Sequence, residues 1–153
     1  MILIPGDLGS RIQAKLDMDN DCYKKSGWYD LWVNVEQLFW HLDCWMQTMS
    51  LVYNTSTKTS SNMPGVATRI PGAPPIGNTS DIEYLDSDQQ PFSAYYAKLV
   101  QKFVSDLNYK PGVNLHGAPY DFRQAANEHE TYFKNLTILI QNTYEKVQVY
   151  FCS

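Results

Sequence analysis

The chain has 153 residues, 44% of them hydrophobic and 18% charged, a composition typical of one folded domain rather than of a disordered chain. Its net charge of -4, with Lys and Arg scattered along the chain, argues against nucleic acid as a partner. No run approaches the ~18 apolar residues of a membrane-spanning helix, and the first four residues are too short an apolar run for a signal peptide.

The first half of the chain predicts a strand, a turn, a helix and a long irregular segment. Residues 1–4 lack alternation, as in a strand covered on both faces, and residues 5–9 form a turn. Residues 28–49 repeat apolar side chains every three or four positions and predict a helix. Between residues 53 and 87 the composition shifts to Ser, Thr, Asn, Pro and Gly, with short strands expected near residues 66–70 and 82–84.

The second half continues the alternation of helices and strands. Residues 92–107 predict an amphipathic helix, and residues 113–115 a short strand. Asn127 and Glu130 resemble a capping box that opens the next helix, and residues 147–152 predict a further strand. Strand, helix, strand, helix, strand at this spacing indicates an α/β fold with a parallel sheet.

The turn Pro-Gly-Asp-Leu-Gly at residues 5–9 is the best functional candidate by position. Ligands of open parallel sheets sit at the carboxyl ends of the strands, and a Pro-Gly turn there can direct backbone N–H groups at a developing anion. The sequence fits neither a dinucleotide fingerprint nor a phosphate loop. A turn that only starts a helix is the alternative.

The tryptophans are concentrated in a segment bracketed by Cys22 and Cys44, at positions Trp28, Trp32, Trp40 and Trp45. Trp favours the boundary between apolar and wet surroundings, so an amphipathic helix rich in Trp can lie on a lipid surface. A buried core helix is the alternative, because the polar side carries Asp and Glu rather than Lys and Arg.

Glycosylation sequons and cysteines favour a secreted protein. Sequons occur at Asn54, Asn78 and Asn135. Cys22 and Cys44 either close a disulfide or are two buried thiols; a disulfide would contribute roughly 3 kcal/mol on the chain-entropy model. Cys152 lies in an apolar run and is expected to be a buried thiol.

Few other residues carry recognisable chemistry. Asp121 and Arg123 follow a predicted strand, and we expect them to hold their loop through structural hydrogen bonds. The three histidines have no metal-ligand spacing, and we expect neither a metal nor a cofactor. The sequence contains no Gly-x-Ser-x-Gly and no other credible nucleophile.

Several motifs resemble the lecithin:cholesterol acyltransferase and lysosomal phospholipase A family, in order along nearly the whole chain. The longest is Ile-Pro-Gly-Asp-Leu-Gly-Ser-Arg-Ile-Gln-Ala-Lys-Leu-Asp at residues 4–17, and the most specific is Gly-Ala-Pro-Tyr-Asp-Phe-Arg at residues 117–123. Shorter matches lie at residues 31–34, 43–45, 51–54, 64–66, 69–72 and 83–86. Asp7 is as in the lysosomal phospholipase branch, whereas the cholesterol-esterifying branch has a cysteine there.

The resemblance implies the N-terminal part of an α/β-hydrolase, spanning residues 1–153, that acts through a Ser-Asp-His triad. The triad transfers an acyl chain from a phospholipid, at a membrane or lipoprotein surface, to water or a lipid alcohol. By resemblance, Asp7 supplies an oxyanion-hole N–H, and Cys22 and Cys44 staple a membrane-binding segment at about residues 22–49. Trp32, Leu38, Phe39 and Trp40 belong to that segment, and Asn54 matches a family glycosylation position.

The chain departs from the family pattern at its end. Ser153 falls two places before the family's nucleophile, and the triad acid and base lie further on. We therefore expect the chain to be a fragment of a secreted or lysosomal enzyme, without its signal peptide, inactive and poorly soluble by itself. A non-catalytic lipid-surface module is the alternative function, and an unrelated cytosolic α/β protein with reduced cysteines is a third.

Overall fold

Helices and sheets are both present in the computed structural model, which describes residues 1–17, 27–88 and 90–151. The strands are β1 (Ile2–Leu3), β2 (Ile12–Leu16), β3 (Tyr29–Trp32), β4 (Leu51–Asn54), β5 (Thr59–Asn62), β6 (Val66–Arg69) and β7 (His116–Gly117). The helices are α1 (Val35–Trp40), α2 (Leu42–Met49), α3 (Ser80–Glu83), α4 (Ala97–Leu107) and α5 (Glu130–Phe151), with a 3₁₀ turn at Ala126–Glu128. Among the described helices, none combines the length and apolar character needed to cross a bilayer.

The parallel pair β1 and β7 positions the candidate site. Ile2 lies opposite His116 and Leu3 opposite Gly117, and the Ala118 N–H extends the ladder by donating to the Leu3 carbonyl at 2.9 Å. Because the strands are parallel, their carboxyl ends meet at one edge. The turn at residues 5–9 and the loop at residues 118–123 therefore leave the sheet side by side.

The core lies under a second, antiparallel sheet in the order β3-β2-β6. Ile12 and Ala14 of β2 and Leu31 of β3 are fully buried, and Tyr29 is nearly so. Trp45 of α2 packs against this cluster. The turn at residues 5–9 is consequently held between β1 of one sheet and β2 of the other.

Three sequence predictions are confirmed. A strand occupies residues 2–3, and a turn follows it at residues 7–8. A second strand occupies residues 66–69. The first strand also pairs in parallel with a strand in the second half of the chain. That second strand lies at residues 116–117, after the predicted residues 113–115. The predicted helix at 92–107 begins only at Ala97, and Phe92 is 86% exposed.

Two predictions in the first half are wrong. Residues 29–32 of the predicted helix form β3, because Tyr29 and Leu31 alternate into the core with a period of two. Asn34 then caps α1, its side-chain oxygen accepting from the Gln37 N–H at 2.9 Å. Residues 82–83 are helical rather than extended, since the Ile82 and Glu83 N–H groups both donate to the Thr79 carbonyl.

The prediction of a strand at residues 147–152 is also wrong, because residues 147–151 belong to α5. Cys152 lies outside the described residues. A strand needs a neighbouring strand for its backbone groups, whereas a helix satisfies them within its own segment. Among the described strands, β1 pairs only with β7. Within the described residues, the predicted parallel sheet is therefore limited to the pair β1 and β7.

We expect Gly117→Ala to destabilise the fold by about 3 kcal/mol. A Cβ at this position would lie 2.4 Å from the Asn78 carbonyl oxygen and 3.1 Å from Thr79 Cα, and backbone atoms cannot rotate away. Urea unfolding followed by circular dichroism measures the loss. Gly6→Ala is the matched control, because its Cβ meets only the Tyr95 hydroxyl, at 3.6 Å. Equal stability of the two variants would contradict this account of β7.

Candidate functional site

The turn at residues 5–9 is a tight loop with an exposed acidic residue at its tip. The Gly9 N–H donates to the Gly6 carbonyl at 3.0 Å, and Leu8 adopts a left-handed backbone with φ of 63°. Gly9 is required by packing, since a Cβ there would lie 2.7 Å from Tyr95 Cε1. Asp7 is exposed, and its amide has no hydrogen-bond partner among the described residues.

Two aromatic side chains clamp this turn from outside. Trp32 Nε1 donates to the Leu8 carbonyl at 2.7 Å, and the Tyr120 hydroxyl donates to Asp7 Oδ1 at 3.1 Å. The Tyr120 amide in turn donates to the hydroxyl oxygen of the fully buried Ser10 at 3.0 Å. Tyr120, in the loop after β7, is thus hydrogen-bonded both to Asp7 of the turn and to Ser10 directly after it.

Burial, and after it the hydrogen bond to Asp7, raises the pKa of Tyr120. Burial likewise raises the pKa of Tyr132, whose hydroxyl donates to the Ala118 carbonyl at 3.0 Å. Both phenols therefore keep their protons at neutral pH and act as donors.

Asp121 and Arg123 tie the same loop to β5 and β6. The Arg123 side chain is 5% exposed, and its Nη2 lies 2.6 Å from Asp121 Oδ2. Its Nη2 also donates to Thr68 Oγ1 at 2.7 Å and to Asn62 Oδ1 at 3.1 Å. A planar guanidinium suits this set because it presents several donors in fixed directions.

A buried charge cluster fixes the start of β2, directly after the turn. Arg11 lies 3.1 Å from Asp81 and 3.8 Å from Asp30. Burial raises the pKa of Asp81 to about 6, although the Arg11 charge opposes that shift. Asp30 adds to the increase by repulsion. Asp81 therefore changes its charge in weak acid.

A cavity of about 320 Å³ opens beside Asp7. Its wall is largely aromatic and aliphatic, with a few polar side chains, and comprises Ile4, Asp7, Tyr120, Gln124, Ala126, His129, Tyr132, Phe133 and Leu136. An apolar cavity with a few convergent polar groups is the usual form of a small-molecule site.

Some side chains of the tryptophan-rich segment pack against the protein, and others are exposed to solvent. Phe39 and Trp40 at the end of α1 are 77% and 78% exposed, whereas Leu38 is half-buried. Trp32 is also half-buried, packing on Phe122 and Trp45 with ring centroids 5.6 and 6.1 Å away. The structure thus places Trp32 against the turn rather than beside the two exposed rings.

The remaining predicted residues are not brought together with the turn. Cys44 is disulfide-bonded, and its predicted partner Cys22 lies outside the described residues. Asn54 and Asn78 are exposed, whereas Asn135 is half-buried on α5. Within the described residues, no cluster of His, Cys, Asp and Glu has the arrangement of a metal site.

Sequence reasoning missed Tyr120, Ser10 and His129 at this site. Tyr120 was visible inside the Ala-Pro-Tyr-Asp motif, but only as part of a resemblance. Ser10 carries no local signal, because its partner Tyr120 lies 110 residues away in the chain. His129 lacks the spacing of a metal ligand, and its ring contacts become visible only in the folded chain.

Comparison with known proteins places these features in one family. A family model described as Lecithin:cholesterol acyltransferase matches residues 28–151. The rat protein named lysosomal phospholipase A and acyltransferase is 36% identical over 151 residues, which cover 95% of this chain and 36% of that protein. Chicken phosphatidylcholine-sterol acyltransferase is 35% identical over 152 residues, which cover 95% of this chain and 35% of that protein. The chain spans about a third of the length of the curated relatives it matches.

We expect the free energy of unfolding of Asp81→Asn, measured relative to that of the unchanged chain, to increase as the pH rises from about 4 to about 6. The native Asp81 pKa is about 6 and its ordinary value is 3.8, so between them the native state holds a proton that the unfolded state has lost. The stability of the unchanged chain therefore falls as pH rises through this window, and Asn removes that dependence.

Urea unfolding at several pH values across this window measures the difference. Asp106→Asn is the control, because hydrogen bonds from Ser105 and Lys102 lower the pKa of the exposed Asp106 instead of raising it. If the free energies of unfolding of Asp81→Asn and of the unchanged chain depend on pH in the same way, the raised pKa assigned to the buried Asp81 is refuted.

Proposed function

Because the chain belongs to the lecithin:cholesterol acyltransferase family, we propose that it supplies half of the oxyanion hole and the lipid-contacting surface of a phospholipid acyltransferase. The fold we assign to the whole enzyme is the α/β-hydrolase. The names of the relatives, phospholipase A and acyltransferase, support acyl transfer from a phospholipid to water or a lipid alcohol. The observation that carries the proposal is the exposed Asp7 at the carboxyl end of β1, whose amide has no partner in the part of the chain that the structure describes.

In this proposal the Asp7 amide stabilises the oxyanion that forms when a nucleophile attacks the phospholipid ester. A donor fixed before the reaction costs no reorganisation when the charge develops. Trp32 and Tyr120 provide that fixation through Leu8 and the Asp7 carboxylate. The nucleophile is a serine outside these 153 residues, which contain no Gly-x-Ser-x-Gly.

Asp121 and Arg123 have a supporting role in this proposal. Their ion pair, with the bonds from Arg123 to Thr68 and Asn62, holds the loop that presents Tyr120 to the turn. Neither side chain belongs to the wall of the cavity beside Asp7. We therefore assign them to positioning and not to chemistry.

Lipid contact is assigned to the exposed end of α1. Phe39 and Trp40 are neighbouring aromatic side chains, each more than three-quarters exposed, and burying them in an interface removes apolar area from water. Leu38, half-buried in the same helix, is assigned to this surface, whereas Trp32 is assigned to the turn that it contacts. A disulfide between Cys22 and Cys44, glycans at Asn54, Asn78 and Asn135, and a secreted or lysosomal location complete the proposal.

A non-catalytic lipid-binding module is the second candidate. The exposed Phe39 and Trp40 support it equally, because they require no nucleophile. Turnover that depends on the Asp7 amide would support the acyltransferase and argue against the non-catalytic module.

We predict that Asp7→Pro abolishes most of the turnover of a chimera in which this chain replaces the matching third of rat lysosomal phospholipase A. Proline has no N–H, and loss of one oxyanion donor lowers kcat on the order of 100-fold. Phospholipid hydrolysis and acyl transfer to a lipid alcohol are the assays. The 153-residue chain alone is expected to give no turnover and serves as the blank.

Asp7→Ala is the matched control for this experiment. It also loses the bond to Tyr120 but keeps the N–H, so its activity should exceed that of Asp7→Pro. Equal loss in both variants would assign the effect to the carboxylate and contradict the oxyanion role. A chimera that binds vesicles without turnover would favour the non-catalytic module.

Replacing Phe39 and Trp40 together by Ala should weaken binding of the chain to neutral phosphatidylcholine vesicles by roughly tenfold or more. Co-sedimentation measures the bound fraction. Phe92→Ala is the matched control, since Phe92 is 86% exposed but precedes α4. If Phe92→Ala weakens binding as much as the double variant, the assignment to α1 fails.

A further inference from the structure

Tyr95, two residues before α4, covers one side of the turn at residues 5–9. Its Cε1 atom lies 2.7 Å from the position that a Gly9 Cβ would take, and its hydroxyl oxygen lies 3.6 Å from the corresponding position at Gly6. These two glycines are the ends of the turn, because the Gly9 N–H donates to the Gly6 carbonyl. One aromatic side chain therefore spans the turn from end to end, and glycine at position 9 allows its close approach.

Tyr95 is itself held by a part of the fold that does not include β1 or β2. Its amide donates to the carbonyl of Glu83, the last residue of α3, at 2.8 Å. Ala94, directly before it, forms an antiparallel bridge with Tyr84. The Tyr95 ring also stacks on the Tyr96 ring, with centroids 4.5 Å apart and planes at 25°. The position of the ring is therefore set independently of the strands that flank the turn.

Leu8 makes the conformation of the turn depend on its surroundings. Its left-handed backbone, with φ of 63°, brings Cβ close to the following carbonyl oxygen, and such a backbone persists only where other contacts impose it. The Leu8 side chain is exposed, so its burial does not supply that constraint. Trp32 acts on the Leu8 carbonyl and Tyr120 on the Asp7 carboxylate. Tyr95 is a third support, and it acts on the backbone at the two ends of the turn.

We propose that Tyr95 is a positioning residue for acyl transfer, whose ring holds the turn in the conformation that presents the Asp7 amide to the developing oxyanion. This inference rests on the function proposed above, which gives that amide its role. The amide acts on a charge that exists in the transition state and not in the bound ester. Loosening the turn therefore lowers kcat and leaves KM nearly unchanged.

Kinetics of the chimera described above, with phosphatidylcholine vesicles as substrate, test this role. Tyr95→Ala should lower kcat roughly tenfold, the rate equivalent of the energy by which a left-handed leucine is disfavoured. The apparent KM should stay within about twofold of that of the unchanged chimera. Tyr95→Phe keeps the ring and should retain most of kcat. Tyr53→Ala is the matched control, because it removes an exposed tyrosine from β4, and both kinetic constants are expected to persist.

Hydrogen exchange of the Gly9 amide in the same chimeras reports on the turn without any turnover. That amide closes the turn, so it should exchange roughly tenfold faster in Tyr95→Ala and at an unchanged rate in Tyr95→Phe and Tyr53→Ala. Mass spectrometry with fragmentation to single residues measures the rate. If Tyr95→Ala fails to fold by near-ultraviolet circular dichroism, Tyr95→Leu replaces it, since leucine is apolar but lacks the ring that spans the turn.

An unchanged kcat in Tyr95→Ala, a change in KM alone, or an unchanged exchange rate at Gly9 would overturn the inference. Equal loss of kcat in Tyr95→Phe would assign the effect to the hydroxyl and overturn it as well. A chimera impaired by Asp7→Pro but not by Tyr95→Ala refutes only the role of Tyr95. A chimera that Asp7→Pro leaves fully active refutes the proposed oxyanion function, whatever the effect of Tyr95→Ala.

Discussion

The arrangement of the site depends on the parallel pairing of β1 with β7. Each strand has two residues, yet their pairing brings the turn after one and the loop after the other to a single edge of the sheet. Gly117 makes the pairing possible, because the Asn78 carbonyl lies where any side chain would be. Without this contact Tyr120 would not reach Asp7, and the turn would lose its partner loop.

A short pair of strands is a weak anchor, and long-range contacts compensate for it. Ser10 reaches across 110 residues to the Tyr120 amide, and Arg11 reaches across 70 to Asp81. Arg123 adds bonds to Asn62 and Thr68. These contacts fix the turn from both sides, as the proposed oxyanion role of the Asp7 amide requires.

Local sequence signals specified much of this fold, but not the site. The apolar run at residues 1–4, the turn after it and the strand at residues 66–69 were predictable, because each depends on its own residues. β3 was mistaken for helix because Tyr29 and Leu31, with a period of two, adjoin the helical pattern that begins after Asn34. The end of α5 was mistaken for a strand because an apolar segment is compatible with either structure. The position argument pointed to the turn and the resemblance to Asp7, whereas the partners that fix Asp7 are distant in sequence.

β3 connects the proposed lipid surface to the proposed oxyanion turn. Trp32 ends that strand and holds Leu8, and Asn34, two residues later, caps the helix that carries Phe39 and Trp40. Asn34 also donates to the Asp30 carbonyl at 2.8 Å, so the strand and the helix meet through hydrogen bonds rather than a free linker. In the proposed function, the surface that contacts lipid and the residue that holds the turn therefore belong to one short segment whose strand and helix are joined by hydrogen bonds.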